Sequence, residues 1–203
     1  MIIRAIVNAV ALIFIIFAAG LRITILSDRH TKILKMIKRL LLILPFMLLF
    51  SACIKEEPAG ADLKVGDVVP DFVVVMNNGK LLSNEDLKGN ISVIMFFHTS
   101  CPDCQQALPI MQKIYDEYKP EGVSFALISR EDHKKDIEFY WNKEGLKMPY
   151  SAQKDRSVYE LFAQTRIPRI YINDRNGIIR HIYTDDPVPS YDDLKTSLDK
   201  LIR

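Results

Sequence analysis

Two cysteines separated by two residues are the side chains of this sequence best suited to chemistry. Cys101 and Cys104 lie where an apolar run passes into a segment with helical spacing. At a helix N-terminus, unpaired N–H groups and the positive end of the dipole favour an anion, so a thiolate is expected at Cys101. Pro102 suits the first turn because its missing N–H has no partner to lose. The pattern predicts a redox pair in which Cys101 attacks a disulfide and Cys104 resolves the product.

Neighbouring charges could change the reactivity of this pair in either direction. Asp103 opposes a thiolate electrostatically, but an acid in the first turn also stabilises a helix. Protonated His98 would favour the thiolate if its ring faces the sulfur atoms, and otherwise it is a residue at the end of a strand. A zinc site would need a second pair of ligands, whereas His133 and His181 stand alone in other segments. We therefore expect no metal, and we expect these two histidines to be solvated.

The elements that must position the pair follow from the patterns around it. Strand patterns alternate with helical patterns from residue 71 onward. The strand patterns cover 71–76, 91–97, 123–129, 169–173 and 178–183. The helical patterns cover 101–118, 132–144, 157–164 and 191–202, and a short helix begins at Ser83. The run 91–97 is apolar throughout, as in a central strand buried on both faces. This alternation predicts an α/β layer fold from residue 65 to residue 203.

The charge of the chain is divided unequally along its length. Residues 1–52 hold seven of the 27 lysines and arginines and one of the 25 acids, so the rest of the chain has 20 bases and 24 acids. The net charge of +2 for the whole chain therefore reverses sign in the predicted domain. A nucleic-acid partner is excluded on this basis, since no basic stripe with interleaved aromatic residues occurs there.

Residues 36–52 have the layout of a signal peptide, with Lys38 and Arg39 before the apolar run 40–50. That run of 11 residues is too short to cross a bilayer core, which needs about 20 helical residues. The small pair Ser51 and Ala52, directly before Cys53, resembles the lipobox of bacterial lipoproteins. We expect Cys53 to be lipidated, and the alternative is a buried or free thiol after an uncleaved anchor.

The segments on either side of the signal peptide carry separate expectations. Residues 1–35 contain a second apolar stretch and are either an extra membrane segment or an upstream extension before a true start at Met36; we favour the extension. Residues 53–64 are polar and suit a flexible tether. The charged run 55–57 resembles a signal for the outer-membrane surface, although a solvated tether explains it equally well. Together these segments predict a membrane-anchored protein of the bacterial cell envelope, facing the periplasm or on the outer surface.

Four segments together resemble the envelope branch of the thioredoxin-like family, typified by TlpA and ResA and related to the AhpC/TSA redoxins. They are VGDVVPDF at 65–72, NGKLLSNEDLKGN at 78–90, FFHTSCPDCQQALP at 96–109 and TRIPRIYINDRNGII at 165–179. The resemblance implies a thioredoxin fold, a central mixed sheet flanked by helices, with an N-terminal β-hairpin extension. It implies that Pro168 is a cis proline facing the cysteines and that the backbone of Ile167 pairs with an incoming peptide. No cofactor is implied.

The same resemblance implies partners and also exposes departures from the family pattern. It suggests a membrane thiol-relay protein as the electron donor and apocytochrome c or misoxidised envelope proteins as clients. We expect a monomer that acts as a reductant, although the reverse direction would oxidise substrates. Ser100 replaces the aromatic residue usual before the first cysteine, and Met95 replaces a buried acid or amide of the preceding strand. Because that acid would accept a proton from the second thiol, its loss predicts slow turnover or proton transfer through water.

Three other classes of function remain as alternatives. A peroxiredoxin would use a Pro-x-x-x-Thr-x-x-Cys pattern, but no proline occupies the required position and Thr99 stands two residues before Cys101. A copper-delivery module on the same fold would require a CxxxC spacing and a distant histidine. A scaffolding lipoprotein would not need a thiol pair at the start of a helix. The spacing therefore favours thiol-disulfide exchange over all three.

Overall fold

The computed structural model describes residues 62–203. The predicted upstream extension, the signal peptide, the lipidation site at Cys53 and most of the tether lie outside these residues. Within residues 62–203, no helix has both the length and the apolar character needed to cross a membrane.

The centre of the fold is a mixed five-stranded sheet. Its strands, with those of a small hairpin, are β1 (Val73–Val75), β2 (Leu81–Ser83), β3 (Ser92–Phe97), β4 (Ser124–Ser129), β5 (Tyr150–Ser151), β6 (Arg169–Asn173) and β7 (Ile179–Tyr183). The sheet order is β5-β4-β3-β6-β7, in which β3, β4 and β5 run parallel and β6 and β7 run antiparallel to their neighbours. Strands β1 and β2 form a separate antiparallel hairpin. The predicted hairpin extension and central mixed sheet are both present.

Five helices accompany the sheet: α1 (Asn84–Leu87), α2 (Pro102–Tyr118), α3 (Lys134–Glu144), α4 (Ser157–Glu160) and α5 (Tyr191–Ile202). Capping boxes begin α1 and α5, where Ser83 pairs with Asp86 and Ser190 pairs with Asp193. Helix α3 ends at Gly145, whose φ of 66° is a left-handed conformation that glycine adopts without a steric cost. Local sequence therefore fixes most of the helix boundaries.

Three predicted elements have wrong boundaries. The first strand is shorter than 71–76, and the helix predicted over 132–144 begins only at Lys134. The helix predicted over 157–164 ends at Glu160, because the chain tightens into a turn in which the backbone N–H of Phe162 donates to the carbonyl of Tyr159 at 2.9 Å. That turn buries the Phe162 ring completely in the core, so burial overrides the helical pattern.

Strand β3 is buried on both faces, as its continuous apolar run predicts. On one face, the ring of Phe97 lies 5.1 Å from that of Trp141 in α3. On the opposite face, Phe96 packs against Phe162 at 4.9 Å and Tyr159 at 5.4 Å between ring centroids. All six residues of the strand are buried. The carboxyl end of this strand, where the cysteines follow, is therefore attached to a fully buried part of the core.

Candidate active site at the carboxyl end of the central strand

Cys101 occupies the N-cap position of α2, four residues after β3 ends at Phe97. Its backbone N–H donates to the carbonyl of His98 at 3.1 Å, and its carbonyl accepts from the N–H of Gln105 at 2.9 Å. The side chain makes no capping bond, and the residue is half-buried. The Cys101 sulfur is therefore held at the start of a 17-residue helix while remaining within reach of solvent.

Cys104 lies one turn further along α2 and has no exposed surface. Burial raises the pKa of the Cys104 thiol, and the neighbouring Cys101 and Asp103 raise it further, although the backbone of His98 opposes these effects. The two thiols are not joined to each other in this structure. The geometry therefore makes Cys101 the accessible sulfur and keeps Cys104 protonated behind it.

The loop before β6 closes the other side of the pair. The Ile167–Pro168 peptide bond is cis, as the family resemblance implies. The Cys101 sulfur lies 3.5 Å from the carbonyl oxygen of Ile167. Next along the chain, Arg169 is buried and forms an ion pair with Asp62 at 2.8 Å. The structure thus brings together three of the predicted site residues, Cys101, Ile167 and Pro168, from segments more than sixty residues apart.

The side chains of His98 and Asp103 lie near the pair but differ in what they contact. Nδ1 of His98 accepts from the backbone N–H of Ser100 at 3.2 Å and lies 3.0 Å from the Ser100 hydroxyl. The same nitrogen is 3.7 Å from a carboxylate oxygen of Asp132. Asp103 lies in the first turn of α2 and is half-buried. The Nδ1 edge of His98 therefore supports the loop before Cys101, while Asp103 acts on the electrostatics of the pair.

Asp132 is a site residue that sequence analysis missed. Its carboxylate accepts from the backbone N–H of Thr99 at 2.8 Å and from the Thr99 hydroxyl at 2.6 Å, and the residue is 4% exposed. Gln105 also binds Thr99, because its side-chain amide donates to the Thr99 carbonyl at 2.8 Å. The sequence does place this carboxylate just after β4, which is the parallel neighbour of β3, so its position at the same edge of the sheet as Cys101 could have been predicted. Asp132 and Gln105 together fix the turn that presents Cys101.

Two buried side chains bear on the predicted loss of a proton acceptor for Cys104. Met95 is completely buried in β3. Tyr140, in α3, is buried near Cys104; burial raises the pKa of its phenol, and the nearby charges of Glu144 and Cys104 add to that effect. The phenol therefore stays protonated at neutral pH and cannot replace a carboxylate as proton acceptor.

The two remaining histidines differ from each other. His133 is exposed, as predicted. His181 was predicted to be solvated and is half-buried, with its ring stacked on Tyr183 at 6.5 Å between centroids. Burial, together with Lys200, lowers the pKa of His181. Between residues 62 and 203, no three His, Cys, Asp or Glu side chains cluster closely enough to hold a metal ion.

A model of the AhpC/TSA family matches residues 65–182, which include the hairpin, the cysteine pair and the cis proline. The chain belongs to the AhpC/TSA family.

The chain is also similar to two individual proteins named ResA. The chain is 27% identical to thiol-disulfide oxidoreductase ResA of Bacillus thuringiensis (strain Al Hakam) over 115 residues, which cover 57% of this chain and 66% of that protein. It is 25% identical to ResA of Geobacillus thermodenitrificans (strain NG80-2) over 137 residues, which cover 68% of this chain and 78% of that protein. The first match therefore spans slightly less than two thirds of its relative.

A solved structure confirms the fold of this AhpC/TSA family member. The thioredoxin domain of a thiol-disulfide oxidoreductase from Bacteroides vulgatus has a TM-score of 0.62 and 23% identity, and the match covers 70% of this chain and 100% of that one. The predicted thioredoxin fold, a mixed sheet flanked by helices with an N-terminal hairpin, is therefore correct.

Replacing Asp132 by alanine is expected to destabilise this AhpC/TSA family member by about 1–3 kcal/mol, because the buried N–H and hydroxyl of Thr99 lose their acceptor. Urea unfolding followed by the fluorescence of Trp141, the one tryptophan of the chain, measures the change. Glu138→Ala, an exposed acid on α3, is the matched control and should change the free energy of unfolding by less than about 0.5 kcal/mol. Equal effects of the two substitutions would refute the anchoring role of Asp132.

The reduced protein is expected to lose stability as the pH rises above 9. Burial holds the pKa of Cys104 in the folded protein above its ordinary value of 9.0. The unfolded chain therefore releases this proton at a lower pH than the folded protein does. The contribution of the protonated Cys104 thiol to the free energy of unfolding is complete below pH 9 and is lost as the pH rises further. The loss should be about 1 kcal/mol between pH 9 and pH 10. Urea unfolding of the reduced wild type and of reduced Cys104→Ala measures it, and identical slopes in both would contradict the burial of a neutral thiol.

Proposed function

We propose that this chain is a membrane-anchored thiol-disulfide oxidoreductase that exchanges disulfides with protein substrates of the cell envelope through Cys101 and Cys104. The observation that carries the proposal is the pairing of a half-buried Cys101 at a helix start with a fully buried Cys104 one turn later. The ResA relatives, whose names state this activity, support it. No bound cofactor is required for the reaction.

The exchange proceeds in two displacements. The Cys101 thiolate attacks one sulfur of the substrate disulfide, that S–S bond breaks, and its electron pair leaves on the second substrate sulfur, which takes a proton from water. Cys104 then loses its proton and attacks the Cys101 sulfur. The mixed disulfide breaks, the substrate leaves with both thiols reduced, and the Cys101–Cys104 bond holds the oxidising equivalents.

The residues around the pair have distinct proposed roles in these steps. The carbonyl of Ile167, 3.5 Å from the Cys101 sulfur, and the cis Pro168 beside it provide the backbone on which a substrate strand docks. Pro102 begins α2 without an unused donor. Burial is the main cause of the raised pKa of Cys104 and Asp103 adds to it, so Cys104 stays protonated while Cys101 reacts first. His98 holds Ser100 and the approach to Cys101.

We propose the reducing direction, because an oxidising envelope already supplies disulfides without a further oxidase. In that role the pair is re-reduced by a dithiol donor in the membrane, and lipid attached to Cys53 keeps the monomeric domain at the membrane surface. The names of the ResA relatives support thiol-disulfide exchange itself, whereas the direction and the anchoring rest on the argument from the compartment and on the lipobox at Cys53.

The direction of exchange is tested by two assays on the same full-length protein in a non-ionic detergent. In one, reduced protein is mixed with a disulfide-bonded protein such as insulin, and the appearance of substrate thiols is followed. In the other, oxidised protein is mixed with a reduced, unfolded protein, and disulfide formation is followed. The proposal predicts faster reaction in the first assay. Faster oxidation of the unfolded protein would overturn the reductant role, and no reaction in either assay would overturn the activity itself.

A further inference from the structure

A cavity of about 310 Å³ lies at the same edge of the sheet as the cysteine pair. It is lined by the end of the hairpin, by the β4–α3 loop and by β5 with the residues that follow: Val75, Met76, Asn77, Asp132, His133, Lys134, Tyr150, Ala152, Gln153 and Lys154. Strands β3, β4 and β5 are parallel, so their carboxyl ends share one edge. Ligands of α/β sheets bind at this edge. Cys101 follows β3, and the cavity follows β4 and β5.

The wall of the cavity is held by hydrogen bonds between the hairpin and the edge of the sheet. The N–H of Asn77 donates to the Tyr150 carbonyl at 2.7 Å, and the Asn77 side chain accepts from the Tyr150 N–H at 3.2 Å. The hydroxyl of Ser151 donates to the carbonyl of Val75 at 2.7 Å. The N–H of Gln153 donates to the Ser129 hydroxyl at 2.8 Å. The cavity is therefore formed before any ligand binds.

Two lysines at the rim of the cavity carry positive charge that no ion pair within residues 62–203 neutralises. Lys134 and Lys154 are exposed, and neither forms an ion pair with any residue between 62 and 203. His133, the N-cap of α3, makes no side-chain capping bond, so the first N–H groups of this 11-residue helix also lack a side-chain acceptor. The one acid in the lining, Asp132, is buried and bonded to Thr99.

We propose that this cavity is a specificity site for an acidic side chain of the protein whose disulfide Cys101 attacks. The proposal rests on the disulfide-exchange function proposed above and adds the chemical class of the preferred substrate. A glutamate or aspartate of the client binds between Lys134 and Lys154, and the client's neighbouring apolar atoms contact Val75, which is 58% exposed. The client chain thus contacts the protein on both sides of Cys101, at the Ile167 carbonyl and at the cavity.

The sheet sets the spacing between the acid and the reactive cysteine in such a client. Strand β5 is two positions from β3 in the sheet, and neighbouring strands are about 4.8 Å apart, so the cavity lies about 10 Å from the line of Cys101. An extended peptide advances about 3.3 Å per residue. The acid is therefore expected about three residues from the cysteine of the client disulfide.

The test uses reduced full-length protein in a non-ionic detergent and synthetic peptides whose single cysteine is joined to 2-mercaptoethanol as a mixed disulfide. Each peptide carries one glutamate at a distance of one to six residues from the cysteine, and its partner peptide carries glutamine there. In single-turnover reactions we expect the apparent second-order rate constant to favour the glutamate peptide by about fivefold at a distance near three, through tighter binding of the peptide rather than a faster maximal rate, at low salt. The preference should shrink in 0.5 M salt, because the lysines are exposed.

Two variants separate this site from general charge attraction. Lys134→Glu combined with Lys154→Glu should bring the glutamate-to-glutamine ratio to one or below, whereas Lys135→Glu, on the same helix but outside the cavity, should keep the wild-type ratio. A ratio near one at every distance in the wild type, or an equal loss in Lys135→Glu, would overturn the proposal. Reduction of uncharged 2-hydroxyethyl disulfide by the wild type is measured in parallel: if it proceeds, only the specificity site has failed, and if it does not, the exchange function has failed as well.

Discussion

Replacing Cys101 by serine is expected to lower the rate of disulfide exchange at least ~10³-fold, the scale of loss seen when an enzyme's nucleophile is removed. A serine oxygen at this position is protonated at neutral pH and cannot form the mixed disulfide that both displacements require. Cys104 cannot substitute for it, because its sulfur has no exposed surface and its pKa is raised by burial. The measurement is the initial rate of insulin reduction at matched protein concentration.

Two controls make the result specific to Cys101. Trp141 packs against Phe97 at the end of β3, so its fluorescence reports whether the core beneath the cysteines is intact in the variant. Cys53→Ser removes the third cysteine of the chain and should leave the solution rate unchanged, since Cys53 is assigned to lipid attachment. A Cys101→Ser variant with more than a tenth of the wild-type rate would refute the assignment of the nucleophile.

Replacing Cys104 by serine is expected to stop the reaction halfway. Cys101 remains accessible and attacks the substrate, but no second thiol is available to displace the product, so the mixed disulfide accumulates to one equivalent per chain. Steady-state turnover should fall by a factor comparable to that of Cys101→Ser, while adduct formation persists. Non-reducing electrophoresis followed by mass spectrometry of the adduct measures both its amount and the cysteine that carries it.

The amount of mixed disulfide formed by each of the two serine variants identifies the sulfur that attacks first. Cys101→Ser should give no adduct under the same conditions, because the remaining Cys104 is buried and protonated. Alkylation of the reduced wild type gives an independent check, since iodoacetamide should modify Cys101 well before Cys104. Equal amounts of adduct in the two variants would mean that either sulfur can start the reaction, which the burial of Cys104 does not allow.

Local signals account for the parts of the fold and the site that sequence alone predicted. The apolar run before the cysteines is β3, and all of its residues are buried as the pattern required. Ser83 begins a short helix and Pro102 begins α2, as predicted. Each of these features depends on residues within a few positions of one another, so the one-dimensional pattern contains the information that determines them.

The parts that sequence did not predict depend on contacts between distant residues. The bond between Asp132 and Thr99 joins positions 33 apart, and no local rule distinguishes this buried carboxylate from an ordinary acid at a helix start. Strand β5 has only two residues, too few for any alternation to appear. The early end of α4 is caused by burial of Phe162, which only the packed sheet imposes. Tertiary packing overrides propensity at each of these positions.

The central claim is that Cys101 and Cys104 form one reversible redox couple, and its reduction potential is the most direct measurement. Full-length protein in a non-ionic detergent is equilibrated with mixtures of dithiothreitol and its disulfide, quenched by alkylation and read out by mass spectrometry of the peptide that contains both cysteines. A single two-electron transition is expected near the value of thioredoxin, about −270 mV. A transition near −120 mV would contradict the reductant role, and the absence of any reversible transition would contradict the assignment of the cysteine pair.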